Sequence, residues 1–208
     1  MSAHVSRTIG KITAAVAVAA AVASIPSTPQ LAAAADSGGT IKGTVTAEPS
    51  KYLPDTVVFL KQVAGAYKAR TVDMDQKGMK FIPRFLAVTS GDSVRFLNSD
   101  TVDHNVFSPD IDPYNLGMIK PGASSMHVFT KTGGYTQLCS IHPEMIAYVW
   151  VGQNPFSAVV DAQGNYSIKN VPAGTYTLSA WNPKLKTSDK SVTVKAGETT
   201  EIKVSIAR

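Results

Sequence analysis

Short runs in which apolar and polar residues alternate recur along the chain after residue 36, and they are rich in Val, Ile, Thr, Tyr and Phe. Alternation with a period of two predicts β-strands that bury one face. Turn-forming pairs such as Gly91-Asp92 and Gly164-Asn165 separate the runs. Beyond residue 36, no long stretch has the 3.6-residue apolar period of a helix. The pattern therefore predicts an all-β fold built from sandwiches or barrels.

The first 35 residues follow a different pattern. Arg7 and Lys11 precede an apolar run at residues 12–25, and Ala33 and Ala35 are placed for cleavage after residue 35. This is the layout of a secretory signal peptide, and the apolar run is shorter than the roughly 20 residues of a membrane span. An uncleaved anchor or a disordered Ala-rich tail is the alternative. We predict a signal peptide over residues 1–35 and an exported, periplasmic mature protein without a membrane span.

The charge balance argues against nucleic-acid binding. The chain carries 20 Lys and Arg residues against 15 Asp and Glu residues, and its formal net charge is +5. Removing Arg7 and Lys11 with the leader lowers this charge to +3. The remaining cations are scattered, whereas nucleic-acid-binding proteins concentrate them on one face. We therefore expect no nucleic-acid partner.

A domain joint is predicted at Gly152-Gln153-Asn154-Pro155, which interrupts an apolar strand. The segment after this joint contains the motif DAQGNYSIKNVPAGTYTLSA. The motif resembles the carboxypeptidase regulatory-like (transthyretin-like) β-sandwich family, in which both of its turns recur. The resemblance implies a small β-sandwich over residues 154–208.

The opening strands of such a sandwich are found far upstream. Members of the family begin with a Gly-x-Val strand, and this feature occurs here in IKGTVTAEPSKYLPDTVVFL, residues 41–60. A sandwich without its first strands would expose an unpaired edge. We predict that residues 40–66 complete the sandwich of residues 154–208 and that residues 68–152 are inserted between them. Alternatively, residues 41–60 add strands to the middle domain, because sequence neighbours usually pack together.

The middle segment contains a set of metal-ligating residue types. Cys139, the one cysteine of the chain, is followed by His142 and Met145 in the pattern Cys-x₂-His-x₂-Met, and His104 lies upstream in NSDTVDHNVFS. An unpaired cysteine is unusual in an exported protein, where thiols generally form disulfides. One thiolate, two imidazoles and a weak axial thioether are the ligands of blue copper. Zinc is the competing metal, but structural zinc sites generally use four Cys and His ligands.

The flanking sequence resembles a cupredoxin, a Greek-key β-sandwich, over residues 68–152. GMKFIPRFLAVTSGDSVRFLNSD followed by DHNVFS is similar to its first half, and GYTQLCSIHPEMIAYVWV is similar to its second half. The short ligand loop is of the amicyanin and pseudoazurin type. The two-domain arrangement also resembles exported proteins labelled methylamine-utilisation-like.

This resemblance implies roles for six residues. It implies one copper ion per chain, cycling between Cu(I) and Cu(II), with the ligands His104, Cys139, His142 and Met145. It further implies that the Asn105 amide ties the two ligand loops together beside the cysteine, where Ser140 is its neighbour.

Single-electron transfer is the function that these residues predict. In the family the second histidine ligand reaches the surface, so His142 is the predicted electron port. We expect an apolar patch around it, formed by Ile141, Pro143, Pro109 and Ile111. Acidic residues in the same segments predict a negative copper end that steers a basic partner such as a c-type cytochrome; a dehydrogenase is the other partner class. These acids are Asp100, Asp103, Asp110, Asp112 and Glu144.

Two other function classes also use copper. Copper handling without redox turnover is the alternative to electron transfer, although a four-ligand site lacks the open position that fast exchange requires. An oxidase or a nitrite reductase would need another His-rich site, and only His127 is spare in the mature chain. We interpret His127 as a surface or packing residue and therefore predict that the protein is not an enzyme.

Overall fold

The computed structural model describes residues 1–3 and 38–208. Apart from its first three residues, the predicted signal peptide lies outside these ranges. Among the described residues, no helix is long and apolar enough to cross a membrane.

The described chain consists of eighteen strands and one short 3₁₀ helix, Ser50–Asp55. The first nine strands are β1 (Gly39–Glu48), β2 (Val57–Leu60), β3 (Thr71–Gln76), β4 (Phe81–Ile82), β5 (Phe85–Thr89), β6 (Ser93–Asn98), β7 (His104–Ser108), β8 (Tyr114–Ile119) and β9 (Ser124–Val128). The others are β10 (Gly133–Leu138), β11 (Ile146–Gly152), β12 (Ser157–Val159), β13 (Asn165–Val171), β14 (Gly174–Trp181), β15 (Lys186–Thr187), β16 (Lys190–Val194), β17 (Thr199–Glu201) and β18 (Val204–Ala207). The all-β prediction is confirmed.

The strands from the two ends of the described chain form one sandwich, which we call the terminal sandwich (residues 39–60 and 157–207). One sheet has the order β13-β1-β18-β15, with β17 also paired to β1, and the other has the order β12-β2-β14-β16. Ile41, Leu60 and Leu178 belong to the apolar core of this sandwich. Both strands of the upstream segment therefore pair with strands that follow residue 156.

A glycine explains the close approach of the chain to β1. A Cβ atom built on Gly43 would lie 1.8 Å from the carbonyl oxygen of Ile202, in the crossing between β17 and β18. The Ile202 N–H donates to the carbonyl of Lys42 at 2.9 Å. The glycine of the Gly-x-Val strand is thus needed because a backbone segment occupies the place of its side chain.

Strands β3 to β11 form a second sandwich, which we call the middle sandwich (residues 71–152). Its sheets have the orders β5-β11-β10-β7-β8 and β4-β3-β6-β9. Alternation sets the inward faces, as in β6, where Val94 and Phe96 are buried and Arg95 is exposed. These two side chains share one apolar core with Cys139 and Met145.

An aromatic cluster connects the two sandwiches. The indoles of Trp150 in β11 and Trp181 in β14 lie 5.5 Å apart between ring centroids, and Phe59 in β2 lies 4.5 Å from Trp150. Phe85 and Tyr148 are buried in the same cluster. Because such contacts bury large apolar areas and add ring–ring attraction, they hold the sandwiches together.

Candidate metal centre

The direction of three strands brings the predicted ligands to one end of the middle sandwich. Leu138 at the end of β10 pairs with Ile146 at the start of β11, so residues 139–145 form the loop between two paired strands. Inside this loop the Met145 N–H donates to the His142 carbonyl at 3.0 Å. His104 opens β7, which is the neighbour of β10 in the sheet. The two ligand segments therefore meet at the same end of the sheet.

Three candidate donor atoms converge at this end of the sheet. The Nδ1 atoms of His104 and His142 are 3.0 Å apart, and Cys139 Sγ lies 3.7 Å from His142 Nδ1. The ligand atoms of all three residues lie within 4.8 Å of one another. His104 is 0% exposed and Cys139 is 3% exposed, whereas His142 is half-buried. The arrangement forms a small, largely buried cup of one sulfur and two nitrogens.

The two shorter separations, His104 Nδ1 to His142 Nδ1 and Cys139 Sγ to His142 Nδ1, fit donors to a common metal ion. With bond lengths of about 2.0 Å to nitrogen and about 2.3 Å to sulfur, they correspond to angles of about 100° and about 120° at a common centre. Two imidazoles and a thiolate are donor types of blue copper. The residues present therefore suit copper.

Met145 ends the same loop. Its side chain is 1% exposed and belongs to the apolar cluster that also contains Cys139. The inner side of the cup is therefore apolar. A buried apolar surround lowers the local dielectric and so affects the stability of each charge state of a bound ion.

Asn105 links three segments around the cysteine. Its backbone N–H points to Cys139 Sγ at 3.4 Å, and its side-chain oxygen accepts the Ser140 N–H at 3.3 Å. Its Nδ2 donates to Asn115 Oδ1 at 2.8 Å and to the Gly117 carbonyl at 2.9 Å. The side chain thus holds the two ligand loops together beside the sulfur.

Asp100 has a role that the sequence reasoning missed. Its carboxylate accepts a hydrogen bond from His104 Nε2 at 2.8 Å and accepts the backbone N–H groups of Gly78 at 2.6 Å and Met79 at 3.0 Å. The Met79 N–H, followed by His104 and Gly78, lowers the pKa of Asp100 to about 2. With the proton on Nε2, the Nδ1 lone pair of His104 points into the cup. In the sequence, the available signal for this role was an aspartate four residues before the candidate ligand His104.

Half of the predicted apolar patch lies elsewhere. Ile141 is 46% exposed and Pro143 is exposed beside His142, as predicted. Ile111 instead contacts the region of Gly133, at the start of β10 and therefore at the opposite end from Cys139. Pro109 follows the end of β7, whereas His104 begins that strand. Strand direction, which the sequence pattern does not reveal, separates the two groups.

The predicted acidic residues are divided in the same way. Asp110 accepts the N–H of Thr136 at 2.6 Å, and Asp112 forms an ion pair with Lys131 at 2.8 Å. The Asp112 contact lies before the start of β10, at the end away from the cup, whereas Thr136 lies within β10, three residues before Cys139.

Near the cup, cations accompany the remaining acids. Lys77 and Lys80 flank the two residues whose backbone binds Asp100, and both lysines are exposed. Asp103 and Glu144 are exposed in the ligand loops. This end of the sandwich therefore has mixed charge, in contrast to the negative face that was expected.

His127 lies outside the cup. Its ring stacks on Tyr114 with 3.7 Å between centroids and 15° between planes, and its side chain is half-buried. Burial lowers the pKa of His127, and the nearby Asp112 carboxylate opposes the shift.

Comparison with known proteins identifies the middle sandwich. Residues 68–152 match the family model for copper binding proteins of the plastocyanin/azurin family, which supports the predicted resemblance to a cupredoxin. Residues 148–202 match the model of polysaccharide lyase family 4, domain II. The resemblance of the C-terminal part to carboxypeptidase regulatory-like sandwiches stays a prediction. No curated protein matches the chain.

Solved structures of copper proteins are similar to part of the chain. A methionine-to-alanine variant of amicyanin in the Cu(I) state shares 27% identity over 39% of this chain and 81% of its own, with a TM-score of 0.37. The oxidised state of a proline-to-alanine variant of amicyanin shares 28% identity over the same fractions, also with a TM-score of 0.37. A copper-containing nitrite reductase from Thermus scotoductus SA-01 shares 26% identity over 46% of this chain and 25% of its own, with a TM-score of 0.39.

The last of these matches corrects one prediction. The expectation that the protein is not an enzyme is contradicted by the similarity to a copper-containing nitrite reductase and is withdrawn. That expectation rested on a count of histidines within one chain. Such a count takes no account of substrate sites that are built from other residue types.

Proposed function

We propose that the protein is an exported, mononuclear type 1 (blue) copper protein that carries single electrons between redox partners. The observation that carries the proposal is the convergence of His104 Nδ1, His142 Nδ1 and Cys139 Sγ within 4.8 Å, inside a domain of a copper-binding family. Met145 is the proposed fourth ligand. Copper bound there would supply a one-electron Cu(I)/Cu(II) couple.

The surrounding residues keep the donor atoms in place during electron transfer. Asp100 orients His104 through Nε2, and Asn105 holds the Cys139 loop through Ser140. Because His104 and Cys139 are buried in a packed core, their side chains have little freedom to move. A donor set that stays in one arrangement costs little reorganisation when charge changes.

His142 is the proposed electron port. It is the half-buried member of the cup, and it lies between two exposed apolar residues, Ile141 and Pro143. An apolar rim lets a partner approach without desolvating charges. The proposed partner is a redox protein, either a c-type cytochrome or a dehydrogenase.

We further propose that the middle sandwich is an insertion in the terminal sandwich. In this division residues 40–66 and 154–208 form one β-sandwich domain, residues 68–152 form the cupredoxin domain, and residues 1–35 are a signal peptide. The pairing of β1 with β13 and β18, and of β2 with β14, supports the division.

The test is a visible spectrum of the purified mature protein loaded with Cu(II). We expect an intense thiolate-to-copper absorption band that is lost in Cys139→Ala and retained in His127→Gln, a matched variant of a histidine outside the cup. Reversible bleaching by a one-electron reductant should accompany the band.

Two results would count against electron transfer. A colourless protein that binds zinc as tightly as copper would overturn the copper assignment. A blue protein that exchanges its copper with a chelator faster than it exchanges electrons with a cytochrome would favour copper handling instead.

A further inference from the structure

Arg84 connects the two sandwiches beside the C-terminal end of the ligand loop, residues 139–145. Its Nε and Nη2 donate to the two carboxylate oxygens of Asp55 at 2.9 and 3.1 Å. Its Nη1 donates to the backbone carbonyl of Ile146 at 3.1 Å. The guanidinium also lies 5.6 Å from the ring centroid of Tyr148. Three donor atoms of this one side chain thus bind acceptors in both sandwiches.

Ile146 is the residue at the base of the ligand loop. It directly follows Met145, and it pairs across the ladder with Leu138, which directly precedes Cys139. The backbone of Arg84 holds the same strand, because its carbonyl accepts the Tyr148 N–H at 2.9 Å. Both the main chain and the side chain of Arg84 therefore fix the place where the loop closes.

The other end of the bridge is itself rigid. Asp55 ends the 3₁₀ helix of the terminal sandwich, and its side chain is only 14% exposed. Asn182, which is 6% exposed, donates to the Asp55 carbonyl at 3.1 Å and to Thr56 Oγ1 at 2.9 Å. The carboxylate is thus presented to Arg84 from a fixed backbone.

We propose that Arg84, held by Asp55, is a positioning residue through which the terminal sandwich sets the position of Met145 and the closure of the Cys139–Met145 loop. We call the contacts of Arg84 with Asp55 and Ile146 the Arg84 bridge. The effect on the copper centre rests on the proposed copper function, whereas the effect on the loop can be measured in the metal-free protein. The terminal sandwich acquires a role in tuning the centre in addition to any role in docking.

The physical reason lies in the shape of the guanidinium. A planar fork that binds a carboxylate with two parallel bonds is restricted in rotation, so its third donor points in a defined direction. That donor holds the Ile146 carbonyl. Without the carboxylate the side chain regains rotamer freedom, and the carbonyl loses a fixed charged donor.

The chain offers a matched control for this bridge. Arg95 and Asp73 form a second two-bond Arg–Asp pair, with both distances 2.8 Å, between β6 and β3 in the sheet that does not contain β10 and β11. The test compares Asp55→Asn and Arg84→Lys with the control variants Asp73→Asn and Arg95→Lys, all made in the mature protein.

The first measurement uses the metal-free protein. Hydrogen exchange of the Met145 amide, which donates to the His142 carbonyl at 3.0 Å, reports opening of the loop. We expect exchange at least about threefold faster in both bridge variants, in proportion to the loss of one partly exposed ion pair. The control variants should leave this amide unchanged. Equal exchange rates in all variants would overturn the proposal.

The second measurement is the midpoint potential of the copper-loaded protein. Soft thioether ligands favour Cu(I), so a less constrained Met145 should lower the Cu(I) affinity relative to the Cu(II) affinity. A threefold change in this ratio corresponds to a potential lower by about 28 mV for a one-electron couple. An unchanged or raised potential in the bridge variants, or an equal fall in the controls, would contradict the inference.

The two measurements separate this inference from the proposed function. If the loaded protein has no blue band, the copper function fails, while the exchange rate of the Met145 amide still decides whether the bridge holds the loop. If the band is present and the exchange rate is unaffected, the copper function stands and the bridge has no positioning role.

Discussion

The indole of Trp181 in the terminal sandwich packs directly on the backbone of Gly134 in the middle sandwich. A Cβ atom built on Gly134 would lie 2.0 Å from Cζ2 of Trp181. Gly134 pairs with Trp150 in β11, so the glycine leaves the space in which the two indoles meet. Gly134 is therefore part of the contact between the sandwiches.

Substitution Gly134→Ala should weaken this contact. The added methyl group overlaps the indole, and overpacking of this kind generally costs about 1–3 kcal/mol of unfolding free energy. Urea unfolding followed by tryptophan fluorescence measures the loss. In a Trp181→Ala background the same substitution should cost less, with a coupling energy of at least about 0.5 kcal/mol. Additive effects would show that the two residues do not interact in solution.

The sequence predicted those parts of the molecule that depend on local patterns. Alternation in SVRFLN identified β6 and its buried Val94 and Phe96. The Cys139, His142 and Met145 group lies within one loop, so its spacing is visible in the chain. Contacts that depend on the assembly of distant segments were not predictable in this way.

The missed contact of Asp100 with His104 and the misplacement of Ile111 have a common physical cause. Asp100 receives N–H groups from a hairpin 21 and 22 residues earlier, so its place beside His104 depends on how that hairpin folds over the loop. Ile111 was assigned to the ligand end, but it follows a strand that runs away from the cup. Sequence distance from a ligand therefore does not determine which end of a sheet a loop occupies.

Substitution of Asn105 should alter the copper site as well as lower the stability of the fold. Asn105→Ala removes the acceptor of the Ser140 N–H and the donor to the Gly117 carbonyl, and each buried polar group left without a partner costs about 1–3 kcal/mol. We expect lower unfolding free energy together with a shifted or weaker copper band.

Asn154→Ala is the matched control for Asn105. Asn154 is also 3% exposed, and its side chain bonds the backbone of Leu60 and Phe156 at 2.9 and 3.0 Å. The control should lose comparable stability and keep the spectrum of the unmodified protein. A spectral change of equal size in both variants would indicate that the effect of Asn105 is not local.

Asp100 is expected to control copper affinity through His104. Asp100→Asn replaces a charged acceptor at 2.8 Å from Nε2 by an amide that can present either an oxygen or an N–H. Loss of such outer partners commonly lowers metal affinity by about 10–100-fold, and competition with a chelator of known affinity measures it. Asp103→Asn, in the same loop and exposed, should leave the affinity unchanged. Equal losses in both variants would assign the effect to net charge.

His127 should make the stability of the metal-free protein depend on pH. Burial against Tyr114 lowers the pKa of His127 below its ordinary value of 6.5. Above pH 6.5 the folded and unfolded states are both neutral at this residue, so its full contribution to stability is present. As the pH falls below 6.5, the unfolded state binds a proton before the folded state does, and the unfolding free energy decreases.

The measurement is the difference in unfolding free energy between the unmodified protein and His127→Gln at pH 7.5, 6.5 and 5.5. Taking this difference removes the contributions of His104 and His142, which both proteins share. The advantage of the unmodified protein should shrink as the pH is lowered. Asp112→Asn removes the carboxylate that raises the pKa of His127, so the decrease should become larger in that variant. A difference that is constant with pH would mean that His127 is equally protonated in both states.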